Sequence, residues 1–183
     1  MLYHGLEDAV RTYLQEQHPA HDVEIRNGEL VVVSPHDLVS SRVVIRLSRL
    51  LEEFVDEHAL GHVFDSNGGF RYADGDLMAP DISYISRARL PRVPRSFAEA
   101  TPELVIEIQS STQRPAAVRA KLRLLLEKGS TVGLYIDPGT HRIEIHRVGN
   151  DIVVLGDADL LEIPDVLPGL RVRIAAIWPP DYD

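Results

Sequence analysis

The sequence predicts an α+β protein, a mixed but mostly antiparallel sheet flanked by helices. Three observations point there. Short β-branched runs recur between Asn, Gly and Pro turn signals. Three longer stretches repeat apolar residues at the helical period instead. The chain has 183 residues, 44% of them apolar, which suits one domain over 1–183 with an ordinary core.

Taken in order, Leu6, Val10, Tyr13 and Leu14 follow the helical period and predict a helix over His4–His18. A hairpin follows: Asp22–Arg26, the Asn27-Gly28 turn, then Glu29–Val33, with Ser34-Pro35 ending it. The N-terminal helix and hairpin, 4–33, are expected to pack on the core. Asp37–Leu60 reads as a long helix, with Val43, Leu47, Leu50 and Phe54 on one face and Gly61 as its stop. His62–Asp65 and Phe70–Ala73 read as strands around an Asn67-Gly68-Gly69 turn. Further strands are expected at Asp81–Ile85 and Glu103–Gln109. Pro115–Lys128 is a helix, with proline in its first turn and Gly129 after its end. Val132–Asp137, Arg142–Val148 and Ile152–Leu155 are strands, and the tail from Leu160 to Trp178 mixes strand and loop.

The stretch from Pro80 to Gln109 carries the chemistry. Asp81 opens one apolar run, and Glu107 lies inside the next. Strand side chains alternate faces, so Glu107 and Gln109 point the same way. A carboxylate in such a run must be solvated, paired or metal-bound, because burying it alone is costly. Two hard oxygen ligands on neighbouring strands suit Mg²⁺ or Mn²⁺, and such a metal can polarise a phosphodiester and activate water. From spacing alone, a strand-capping Asp81 and a solvated Glu107 explain the pair more simply.

Composition narrows the classes. Without cysteine there are no disulfides or thiolate metal sites. The first residues lack the blocks of a signal peptide, and no apolar run approaches a membrane span of about 20 residues, so a cytoplasmic protein with no membrane partner is expected. A net charge of −9 argues against strong non-specific binding to nucleic acid. Phosphate-loop, dinucleotide-binding and nucleophile-elbow motifs are missing. Pro19 and Gly61 break the spacing of the histidine pairs His18/His21 and His58/His62.

Several fragments together resemble the Uma-type family of restriction-endonuclease-like proteins, a largely bacterial branch of the PD-(D/E)XK nuclease pattern. In order they are NGELVVVSP (Asn27 to Pro35), GHVF (Gly61 to Phe64), PDISYI (Pro80 to Ile85), PELVIEIQS (Pro102 to Ser110), Lys121, Gly129, YIDP (Tyr135 to Pro138) and PGL (Pro168 to Leu170). The resemblance spans nearly the whole chain. It implies a nuclease-like α/β core, Asp81 and Glu107 as metal-binding acids, and Glu29 as a third acid.

The chain departs from that pattern in three places. Gln109 stands where the superfamily has its lysine. His36 is displaced from the family's helix-start histidine, where Ser40-Ser41 stand. Leu134 replaces a tryptophan. Lys121, on the flank of a stripe through Val118, Leu122 and Leu125, is expected to supply the missing cation. The alternative is a lysine whose ammonium reaches water. Arg87, Arg89, Arg92 and Arg95 in the connector after the Asp81 strand are candidate phosphate contacts, and solubility explains them as well. Arg42, Arg46 and Arg49 read as a solvated helix face. The expectation is a Mg²⁺-dependent DNA endonuclease using Asp81, Glu107, Gln109, Lys121 and Glu29. Its rival is a non-catalytic nucleic-acid-binding or regulatory protein with the same fold. A homodimer is compatible with either.

Overall fold

The structure is a computed structural model that describes residues 22–33 and 35–182. The helix expected over His4–His18 lies outside the described residues. The first element is the expected hairpin, β1 (Asp22–Arg26) and β2 (Glu29–Val33). Asn27 and Gly28 both have positive φ, 51° and 75°, as its tight two-residue turn requires. Helix α1 (Leu38–Glu57) begins at Asp37, whose carboxylate accepts from the Ser40 amide at 2.8 Å.

Helix α1 ends earlier than expected. Ala59, not Gly61, takes the left-handed conformation after it. Gly61 instead opens β3 (Gly61–Asp65), where a Cβ would lie 2.1 Å from the Ile85 carbonyl oxygen. The strand expected at Phe70–Ala73 shortens to β4 (Phe70–Arg71), and it pairs with a strand the sequence reading missed, β5 (Leu77–Met78). Then come β6 (Ile82–Ser86), β7 (Leu104–Ile108), α2 (Pro115–Glu127), β8 (Val132–Asp137), β9 (Arg142–His146), β10 (Val153–Leu155), β11 (Leu160–Ile163) and β12 (Leu167–Arg173).

The main sheet runs β10-β9-β8-β7-β6-β3. Among the described strands of this sheet, β7 and β8 alone run parallel, with α2 as their crossover. A smaller sheet, β2-β1-β5-β4, holds the hairpin, and β11 pairs with β12. The mixed α+β architecture is therefore as expected.

Two apolar layers cover the main sheet. On one face α1 packs Val43, Leu47, Leu51 and Val55 against Ile82, Leu104, Ile106, Ile108, Leu134 and Ile136, and β11–β12 complete that layer. On the other face α2 packs Val118, Leu122 and Leu125 against Ile85, Val105 and Tyr135, beside Phe70, Tyr72 and Met78. Gly133 lets α2 come close, since a Cβ there would lie 2.9 Å from Leu122. Strand alternation puts Glu107 with Val105, and Asp81 with Ile85, on the α2 face.

Candidate active site

Asp81 and Glu107 meet through sheet register. Ile82 pairs with Ile106, so one step further along the antiparallel ladder faces Asp81 with Glu107. Both are buried, at 6% and 3% exposure. Asp81 Oδ2 accepts the Ile108 amide at 2.7 Å, and Oδ1 lies 3.2 Å from His36 Nε2. His36 arrives from the segment before α1. The sequence displaces this histidine from the expected position, yet its ring reaches the acid. The hydrogen bond to Asp81 outweighs burial and raises the His36 pKa.

Helix α2 brings Lys121 to the same place. Its Nζ lies 2.8 Å from Glu107 Oε1 and 3.0 Å from Glu24 Oε1, and it donates to the Ala79 carbonyl at 2.9 Å. Lys121 is 7% exposed and does not reach open water. Burial alone would lower its pKa, but Glu107, Glu24 and Asp81 together hold it above the usual lysine range. The same crowding splits the acids. Burial pushes Glu107 up to about 8, and the charges of Asp81 and Glu24 add to the effect against the pull of Lys121. Glu24 is buried too, yet Lys121 and Arg26 together overcome that burial and lower its pKa.

Glu24 is the residue that sequence reasoning missed. It lies on β1 opposite Val31, and its Oε2 pairs with Arg26 Nε at 2.6 Å. An acid between Val23 and Ile25 was the available signal, of the same kind that singled out Glu107. Glu29 shares that sheet face, opposite Arg26, but sits exposed beside the hairpin turn.

Gln109 is not brought to the carboxylates. Its Nε2 donates to the Ser110 and Gln113 carbonyls at 2.6 and 2.8 Å, and its Oε1 accepts from Tyr135 Oη at 3.2 Å. The connector arginines are not brought there either. The connector leaves β6 at Ser86, the far end of a five-residue strand from Asp81, or about 17 Å at 3.3 Å per residue. Arg87, Arg89, Arg92 and Arg95 are all exposed. Arg89 bonds Glu103 and the Thr101 carbonyl, so it ties down the connector. Arg46 donates to the Ala176 carbonyl and so braces α1 against the C-terminal segment. Besides Lys121, the cations that line this point among the described residues are Arg26 and the exposed Arg114. With Asp81, Glu107 and Lys121 they line a mouth of about 200 Å³.

A divalent ion fits this donor set. Glu107 Oε1 is buried and ion-paired to Lys121, but lacks a well-directed hydrogen bond. Among the described residues no three His, Asp or Glu side chains form a metal-holding group. Two carboxylates with water is the complement that Mg²⁺ accepts.

A family model described as "Putative restriction endonuclease", Uma2, matches residues 7–175. The chain belongs to the Uma2 family. A solved structure titled as a "putative nuclease belonging to DUF820" from Anabaena variabilis covers 85% of this Uma2 chain and 89% of its own, at 20% identity and a TM-score of 0.74. At that identity the likeness is one of fold. A DrdV–DNA complex is similar over 63% of this chain and 85% of its own, at 11% identity and a TM-score of 0.35, too low to carry an argument. No curated protein matches the chain. Among the described residues of this Uma2 protein, no helix is long and apolar enough to cross a membrane.

Proposed function

We propose that the protein is a metal-dependent DNA endonuclease centred on Asp81, Glu107 and Lys121. The observation that carries this reading is the convergence of β6, β7 and α2, which buries two facing carboxylates and a lysine at one point. Membership of a family described as restriction endonucleases supports the same reading.

Mg²⁺ or Mn²⁺ held by Asp81 and Glu107 would act as a Lewis acid towards a phosphodiester and activate water. The protein's own residues do the rest. The Ile108 amide and His36 fix the Asp81 carboxylate from both sides. Glu24 and the Ala79 carbonyl hold the Lys121 ammonium in place, where it offers positive charge to a phosphate gathering negative charge. Arg26 and Arg114 frame the mouth and draw the substrate backbone in. Gln109 serves the loop that follows β7 and holds its turn.

One observation favours the non-catalytic alternative. Lys121 already neutralises much of the acid cluster, so the fold does not need a metal to tolerate it. Titration calorimetry with Mn²⁺ separates the two readings. The nuclease binds the ion, and Asp81→Asn weakens that binding while the fold persists. Equal Mn²⁺ affinity in a folded Asp81→Asn protein leaves the alternative standing.

A further inference from the structure

A second, larger cleft opens on the other side of the same two residues. It encloses about 620 Å³ between the β1–β2 hairpin, α1 and the 65–69 turn, and Asp81 and Lys121 line both it and the small mouth. The two spaces differ in chemistry. Arg26 and Arg114 frame the small mouth and suit a phosphate. The larger cleft is walled by Val23, Val44, Ile45 and Met78, with Ser41 and Asn67 as polar groups. Asp65 stands exposed at its rim and repels phosphate, while Glu24 lies buried beneath, paired to Lys121 and Arg26. A neutral, flat, partly apolar group attached to a phosphate is what such a pair of spaces accepts.

We infer that the cleft between the hairpin, α1 and the 65–69 turn binds an unpaired nucleobase whose phosphate lies at Asp81 and Lys121, so the substrate is single-stranded DNA or an unpaired end. The ligand's identity rests on the nuclease reading. Ligand sites of about 300–1,000 Å³ hold small molecules, so this volume admits one unpaired nucleoside. Turning a paired base out of a duplex costs a few kcal/mol, which an already unpaired strand does not incur. The net charge of −9 adds to the preference, because a duplex presents phosphates more densely than one strand. Ile45 is 54% exposed on α1, and a base can cover it.

Fluorescence anisotropy on the full chain tests this, with Ca²⁺ as a hard-oxygen substitute for Mg²⁺. The probes are a thymidine 12-mer, a base-free 12-mer of the same phosphate count and a 12-base-pair duplex. The thymidine strand is expected to bind at least tenfold tighter than the base-free strand and tighter than the duplex. Ile45→Trp, which fills the cleft, is expected to erase the first difference with the circular dichroism spectrum unchanged. Equal binding of the thymidine and base-free strands overturns the inference. So does wild-type discrimination by a folded Ile45→Trp protein, or no binding of the thymidine strand at all. A parallel Mn²⁺ cleavage assay separates the two ideas. Cutting of duplex with no single-strand preference sinks the nucleobase cleft and leaves the nuclease. Base-dependent binding without cutting of any DNA leaves the cleft and sinks the nuclease.

Discussion

At the residue scale, the site is a balance of buried charges, and each partner's removal has a different consequence. Lys121 neutralises Glu107 and Glu24 at 2.8 and 3.0 Å. Lys121→Ala strips Glu24 and the ionised fraction of Glu107 of their shared cation, so it is expected to destabilise the fold by about 3–5 kcal/mol in urea melts. In the surviving folded fraction it is expected to slow cleavage at least tenfold, about 1.4 kcal/mol of transition-state stabilisation. A Lys121→Ala protein as stable as wild type contradicts the geometry. Glu107 adds a pH signature. Its pKa is raised to about 8, and a metal takes only the carboxylate form. Binding therefore releases a proton from the protonated fraction of Glu107, and Mn²⁺ affinity is expected to rise with pH through the neutral range. Calorimetry across pH 6–8.5 reads the slope, and a flat profile removes Glu107 from the metal's ligands.

At the element scale, the hairpin and α1 deliver site residues because local caps fix them. Asp76 is 1% exposed, accepts the Asn27 and Gly28 amides at 2.6 and 2.9 Å, and pairs with Lys128 at 2.7 Å. It ties the hairpin turn to the end of α2 and so holds Glu24 against Lys121. Asp76→Ala is expected to cost about 2–4 kcal/mol and to reduce cleavage without touching the acids. Asp37 caps α1 and also accepts the Ser111 amide at 2.7 Å. Those amides hold its pKa well below the usual carboxylate range. A depressed folded pKa gives stability that is present above about pH 4 and lost as pH falls. Asp37→Ala is therefore expected to cost about 1–2 kcal/mol at pH 7, with the difference shrinking in urea melts below pH 4. A constant difference across that range contradicts the capping role.

Much of this level was legible in the sequence, because its signals are local. Asn27-Gly28, Pro115 and Gly129 marked turns and helix ends that the structure keeps. The strand at Leu77–Met78 was not legible, since two residues carry no period and pairing alone makes them a strand. The end of α1 was misread because Gly61 serves a close approach to Ile85 across the β3–β6 pair, a contact that sequence spacing cannot show.

At the scale of the whole molecule, the main sheet lays β6 beside β7, and the β7–α2–β8 crossover returns α2 over the same face. That topology gathers Asp81, Glu107 and Lys121. It also carries the arginine-rich connector away from them, because it leaves β6 at the end of the strand opposite Asp81. The sequence held the acids and Lys121 in plain view. It hid Glu24, which comes from a different sheet through the β1–β5 pairing, and Arg26 and Arg114, whose place depends on tertiary packing. The most direct test of the whole account is DNA cleavage in Mn²⁺ by wild type and Glu107→Gln, using single-stranded and duplex substrates side by side. Glutamine keeps the shape and removes the charge that would hold the ion, so the account predicts cutting by wild type and at least a hundredfold loss in a folded Glu107→Gln protein. Cutting at equal rates by both proteins, or none by a wild type shown to bind Mn²⁺, would contradict it.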